Sequence, residues 1–235
     1  MKIYSQGDQA IVVSIEKPVS KHLTEDLVAL RNYLVEQDYP FITEIVPTES
    51  DMMVCYDARD MIKHHHIQSP FQYMKALLES IQLETAYVEH LQEPVEIPVV
   101  YGGDHGPDLA QLLDYYEMDY AQFVSAHTQP TYFVSMMGYS PGFPYLTGMD
   151  EALYVNHTGD KKHFIPASSV IIEGKKTGIV TTDSYGDWLV IGYTTLELFS
   201  PNKQPFTRLA LGDNVRFKAY EADQLKLGGF KPCQS

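Results

Sequence analysis

The second half of the sequence holds the side chains able to handle a proton or an anion. His127 stands one turn after Phe123 and Val124 on a helical stretch, so its ring belongs to the apolar, inward side of that helix. Two readings stay open for it: a core histidine with its hydrogen bonds satisfied, or a group facing a pocket. Lys161, Lys162 and His163 come just before the turn-rich Ile165-Pro166-Ala167-Ser168-Ser169, and Lys175-Lys176 stands at the next turn. In a chain of net charge −14, cations gathered in this way either receive an anion or form solvated turns. Between His127 and these lysines lies GYSPGFPYLTG, residues 138–148, which fits no helix or strand template. Its prolines lack the N–H that a helix or sheet interior uses, and its glycines favour turns. The aromatics Tyr139, Phe143 and Tyr145 then plug a core or wall a pocket.

Other chemical motifs fail on spacing or context. His64-His65-His66 lies in a polar stretch with no cysteine partner, and it reads as a solvated loop with no metal. Gly174-Lys175-Lys176-Thr177 lacks both the earlier glycine and the hydroxyl directly after the lysine that a phosphate-binding P-loop needs. No Gly-x-Ser-x-Gly elbow presents Ser140, Ser168 or Ser169 as a nucleophile.

The elements that must position these residues follow from periodicity. In the first ninety residues, Gln9 to Ile15 is a β-branched strand, and leucines 23, 27, 30 and 34 mark an amphipathic helix after Ser20. Phe41 to Val46 and Met52 to Tyr56 are strands, Ser69-Pro70 starts a second helix with Phe71, Met74, Leu78 and Ile81 on one face, and Thr85 to Leu91 is a last strand. This β-α-β-β-α-β order is the ferredoxin-like plan. Pro94 to Pro98 mark a boundary, giving domains of residues 1–92 and 93–235. After the strand Val95 to Tyr101 come a helix with Pro107 at its first position and a second helix capped by Asp119 and Gln122. The remainder reads as short strands: Thr131 to Met137, Ser168 to Glu173, Thr177 to Thr182, Trp188 to Tyr193 and Asn214 to Tyr220, the pattern of a closed or nearly closed β-barrel. The fold class is therefore α+β.

Composition narrows the function classes. With 17 Lys and Arg against 31 Asp and Glu, most of the surface repels phosphate backbones and anionic lipid, which argues against nucleic acid and membrane as partners. The N-terminus has no signal-peptide core and no run approaches a membrane span, so a cytoplasmic protein is expected. Two cysteines, Cys55 and Cys233, are too few for a disulfide framework.

The stretches YGGDHGPDL (101–109), GYSPGFPYLTG (138–148), IPASSVIIEGKKTGI (165–179), DWLVIGYT (187–194), LFSPN (198–202) and LGDNVRF (211–217) together resemble the allophanate hydrolase subunit 1 family. That family includes the B component of the ATP-dependent 5-oxoprolinase and an inhibitor of a sporulation histidine kinase. The resemblance implies a ferredoxin-like N-terminal domain followed by a cyclophilin-like barrel. It implies C-type and A-type partner subunits, ATP with Mg in the assembled complex, and hydrolysis of a small cyclic amide, 5-oxoproline, to glutamate. It also implies a pocket lined by Gly138, Tyr139, Pro141, Gly142, Phe143 and Tyr145 of the loop, by Pro166, Ser168 and Ser169 of the turn, and by Thr177, Trp188 and Tyr193. His127, Lys162 and Lys176 are the catalytic candidates. Against the family's usual pattern, Lys162 and Tyr193 stand for arginines, Ser168 for glycine, Lys176 for glutamine and Val180 for tyrosine. A regulatory module that inhibits a sensor histidine kinase without turnover is the alternative, and a prolyl isomerase, suggested by the barrel alone, is a third reading.

Overall fold

A computed structural model describes residues 2–81, 93–155, 162–225 and 233. The chain forms two compact units, Met1–Leu91 and Gln92–Ser235. In the first, strands β1 (Lys2–Ser5), β2 (Ala10–Ser14), β3 (Ile42–Pro47) and β4 (Asp51–Tyr56) build an antiparallel sheet in the order β1-β2-β4-β3. Helices α1 (Lys21–Glu36), α2 (Ala58–Lys63) and α3 (Pro70–Ser80) complete the unit. Ser20 caps α1 by accepting the Leu23 N–H at 3.3 Å, and Leu23, Leu27, Leu30 and Leu34 are buried along one stripe. That stripe shares a core with Ile11 and Val13 of β2, Met52, Val54 and Tyr56 of β4, and Met74 and Leu78 of α3. The alternation along β4 is what puts those three on one face.

Two features of this unit depart from the expectation. β1 is an additional edge strand, and α2 is an additional short helix just before the polar run His64-His65-His66. The run 64–66 follows α2, where the His64 and His65 rings pair with the two carboxylate oxygens of Asp60 at 2.7 and 3.1 Å. The strand expected at residues 85–91 lies outside the described residues.

The second unit is organised by a closed seven-stranded barrel. Its strands are β5 (Val95–Tyr101), β6 (Tyr132–Met137), β7 (Pro144–Thr147), β9 (Ser169–Glu173), β10 (Lys176–Ile179), β12 (Leu189–Tyr193) and β13 (Asn214–Ala219). Around the barrel the order is β10-β7-β6-β13-β5-β12-β9, and β9 also pairs with β10 to close the ring. All neighbours are antiparallel except β5 and β13, the first and last strands, which run parallel from Val95↔Val215 to Val99↔Ala219. Strands β8 (His163–Ile165) and β11 (Ser184–Gly186) form a separate two-stranded ladder. Helices α4 (Leu109–Tyr116) and α5 (Tyr120–Thr128) send Leu109, Leu112 and Phe123 into the barrel core. Pro107 lies before Asp108, the N-cap of α4, so it precedes the helix and does not open it. The expected cap on α5 is present: Asp119 accepts the Gln122 N–H, and the Gln122 side chain accepts the Asp119 N–H.

Strand alternation sorts the wall residues into two layers. Val170, Ile172, Ile179, Ile191, Val215 and Phe217 face the interior, whereas Ile171 and Val190 face outward and join Phe143, Ile165, Val180 and Trp188 in a second cluster. Both cysteines are free, and burial pushes the Cys233 thiol, packed against this outer cluster, up to about 11.

Candidate functional site

The proline- and glycine-rich loop fastens onto the outer layer. Its first part is irregular, with Tyr139 at φ +65° and Gly142 at φ +75°, but Pro144–Thr147 enters the barrel as β7. Proline is accepted there because the first position of a strand does not need its N–H. Phe143 is fully buried, with ring centroids 5.3 Å from Trp188 and 4.9 Å from Tyr145. It lies over Gly178 of β10, where a Cβ would come within 3.0 Å of its ring. Tyr139 sits 4.5 Å from Trp188 and remains about half exposed. The aromatics expected to wall a pocket are thus mainly a core on the barrel's outer wall.

A cleft of about 310 Å³ opens beside the irregular half of this loop, beyond the end of β10. Its lining includes Ser168, Val180, Thr181, Tyr193, Thr195 and Glu197, with Leu198 and Phe199 adding apolar surface. Three backbone bonds hold the wall: the Ser168 N–H donates to Val180 O at 2.6 Å, the Thr194 N–H to Ser168 O at 2.9 Å, and the Val180 N–H to Ser169 O at 2.9 Å. Ser168 adopts φ +73°, a left-handed conformation normally given to glycine. The loop reaches the rim through Thr181, whose hydroxyl donates to Pro141 O at 2.8 Å and accepts from the Ser140 hydroxyl at 3.0 Å. Gly142 packs against Phe199 so closely that a Cβ would lie 2.8 Å from the Phe199 Cβ. Asp183 holds the same wall by accepting the Ala167 N–H at 3.0 Å.

Among the expected site residues, Ser168 and Tyr193 line this cleft, and Pro141 and Gly142 contact groups that line it. Gly138 accepts the Ser140 N–H and donates its own to Phe143 O, shaping the loop, while Tyr139, Phe143, Tyr145 and Trp188 make up its aromatic layer. Pro166 is buried just before the turn, and Ser169 is buried at the start of β9. Lys162 is exposed just before β8, and Lys176, at the start of β10, places its ammonium 5.7 Å over the Tyr145 ring; neither lines the cleft. Lys161 lies outside the described residues.

His127 and Thr177 lie in the barrel interior, and His127 is wholly inaccessible. The Tyr101 hydroxyl lies 2.8 Å from Nδ1, Nε2 lies 3.1 Å from Thr177 Oγ1, and the Thr177 hydroxyl donates to Ile171 O at 2.8 Å. Because Thr177 has spent its only proton on the carbonyl, Nε2 must be the donor, and Nδ1 then accepts from Tyr101. The ring is therefore neutral in one tautomer. Burial holds its pKa down at about 3, and the Phe217 ring lies 4.5 Å away. Of the two readings open in the sequence, the geometry is that of a satisfied core histidine, because both nitrogens are committed to protein partners. Thr181, Thr195, Glu197 and Phe199 were not among the expected residues; of these, Phe199 alone lies in a quoted stretch, LFSPN.

The lining is almost free of charge. Glu197 is the single ionisable carboxylate among the lining residues, and it is paired with Lys203, which also holds its pKa down through a hydrogen bond. No lysine, arginine or histidine lines the cleft among the described residues.

Fold and cleft together define an α+β protein whose barrel carries a small-molecule-sized opening at its mouth. Residues 1–209 match the carboxyltransferase domain, subdomain C and D family, and the chain belongs to that family. It is 34% identical over 219 residues to a Bacillus subtilis (strain 168) protein named as the B subunit of 5-oxoprolinase, covering 92% of this chain and 91% of that one. A protein of the same name from Escherichia coli O157:H7 is 32% identical, with 92% and 94% covered. Among solved structures, TTHA0988 superposes with a TM-score of 0.77 at 26% identity over 91% of this chain, which spans only 40% of TTHA0988. PH0987 from Pyrococcus horikoshii, 30% identical, superposes with a TM-score of 0.55 over 95% of this chain and 99% of its own. The Kluyveromyces lactis urea carboxylase shares the fold, with a TM-score of 0.66 at 14% identity over 96% of this chain and 22% of its own.

Proposed function

We propose that the chain is the B-type component of a 5-oxoprolinase-type hydrolase, acting with C-type and A-type partner subunits to open 5-oxoproline to glutamate at the expense of ATP. The observation that carries this reading is the 32–34% identity to proteins named as the B subunit of 5-oxoprolinase, over more than nine-tenths of both chains. The cleft between Ser168, Thr181 and Glu197 is the ligand site on this reading. It has the size and hydroxyl lining to hold a small polar ring.

ATP with Mg does not fit this cleft. A triphosphate needs clustered cations or a glycine-rich loop at a helix N-terminus, and Mg needs free carboxylates. Here the lining has no cation, its carboxylate is engaged by Lys203, and the glycine-rich loop leads into β7. On this reading we assign nucleotide binding to one of the partners. We read the N-terminal unit as ferredoxin-like and the barrel as cyclophilin-like.

Co-expression with the C-type and A-type partners, followed by assay of ATP-dependent glutamate release from 5-oxoproline, tests the proposal. Turnover by the assembled complex is the expected result, and an assembled but inactive complex overturns it.

A further inference from the structure

The polarity of the cleft carries an inference about its ligand that rests on the reading above but can fail separately from it. Thr181 has a fixed hydrogen-bonding character: its proton is committed to Pro141 O and one lone pair to the Ser140 hydroxyl, which leaves a single lone pair and makes it an acceptor only. The hydroxyls of Ser168 and Thr195 have no partner among the described residues and are able to donate. The lining thus holds an acceptor and donors, which suit a group that presents one N–H and one C=O, as an amide does. An anion fares worse. The only charge on the lining is the Glu197 carboxylate, Asp183 accepts the Ala167 N–H, and Lys203 is already paired with Glu197. Arg208 is exposed and meets this region through its backbone N–H, which donates to Leu198 O at 2.8 Å.

We propose that this cleft selects an uncharged amide-bearing ring, with the ligand N–H received by Thr181 and its carbonyl by the hydroxyls of Ser168 and Thr195. A carboxylate on such a ring is not accommodated by this chain alone. The charge-neutralising group for it comes from a partner protein of the complex.

The test compares three probes on the full chain by ligand-observed NMR titration: 2-pyrrolidinone, a neutral lactam; 5-oxoproline, the same ring with a carboxylate; and inorganic phosphate. The lactam is expected to bind more tightly than 5-oxoproline, with phosphate showing no saturable binding. Ser168→Gly, which suits the left-handed backbone and removes one donor, should weaken lactam binding by about fivefold, the scale of one neutral hydrogen bond. Thr181→Val should do the same, and because it also frees the loop at Pro141, Ser168→Gly serves as the independent arm. Glu197→Gln should narrow the gap between lactam and 5-oxoproline. Tighter binding of 5-oxoproline or phosphate than of the lactam, no lactam binding at all, or lactam affinity unmoved by Ser168→Gly would each overturn the inference. None of these touches the place of the chain in the hydrolase, which stands or falls on glutamate release by the reconstituted complex.

Discussion

Replacing His127 with leucine tests whether this histidine is part of the barrel's structure or of its chemistry. Leucine fills much of the ring's volume but accepts no hydrogen bond, so the buried Tyr101 hydroxyl loses its acceptor while Thr177 keeps its bond to Ile171 O. An orphaned buried hydroxyl costs about 1–3 kcal/mol, and lost ring contacts with Phe217 and Tyr132 add about 0.5–1.5 kcal/mol. A total of about 2–4 kcal/mol lowers the melting temperature of a unit this size by about 5–15 °C. The double variant Tyr101→Phe/His127→Leu removes the orphan as well and should recover about 1–2 kcal/mol. Titration offers a second readout. The folded pKa of about 3 lies below the ordinary 6.5, so the unfolded chain binds the proton first and stability falls as pH drops below 6.5. Between pH 7.5 and 5 the wild-type chain should lose about 2 kcal/mol from this group, a loss missing from His127→Leu. Thermal and urea melts across this range, run beside glutamate release by the reconstituted complex, decide the matter. Turnover that collapses while melting temperature and pH slope stay at wild-type values would refute the structural role.

Gly178→Ala should destabilise the second unit by about 1–3 kcal/mol in urea melts, because the new methyl meets both the Phe143 ring and the Pro144 carbonyl. Phe143→Ala should cost about 3–5 kcal/mol by the same measurement, since it empties the centre of the outer cluster. Ser168→Gly should raise the unfolding free energy by about 0.5–1 kcal/mol, relief of the left-handed strain outweighing the extra chain entropy.

The barrel was legible because its strands obey short-range rules: the expected Val95 to Tyr101, Thr131 to Met137 and Asn214 to Tyr220 correspond to β5, β6 and β13 within a residue or so. The Asp119–Gln122 cap was legible for the same reason, being a pattern four residues long. β7, β8 and β11 were not, because strands of three or four residues beginning at proline or lying among turn residues have no periodicity of their own and exist through their partners. The site was legible only in part. Ser168 and Tyr193 carry motif signals, but the bonds that bring Thr181 to Ser140 and Pro141 span some forty residues of sequence. Lys176 shows the converse: a cation that stands out in an acidic sequence ends over an aromatic ring, away from the cleft.

The parallel pairing of β5 with β13 has a consequence during synthesis. The ring is sealed by its first and last strands, so a nascent chain that has already made Tyr101 must wait for residues 102–213 before the closing partner begins to emerge. At ordinary elongation rates of about 5–20 residues per second that wait is about 6–20 s. Throughout it the β13-facing side of β5 stays unpaired, an open template for a neighbouring chain on the same polysome. Slowed translation, or a stop before Asn214, therefore selects between a sealed barrel and intermolecular pairing, and ribosome-bound chains arrested on either side of β13 should differ sharply in protease resistance.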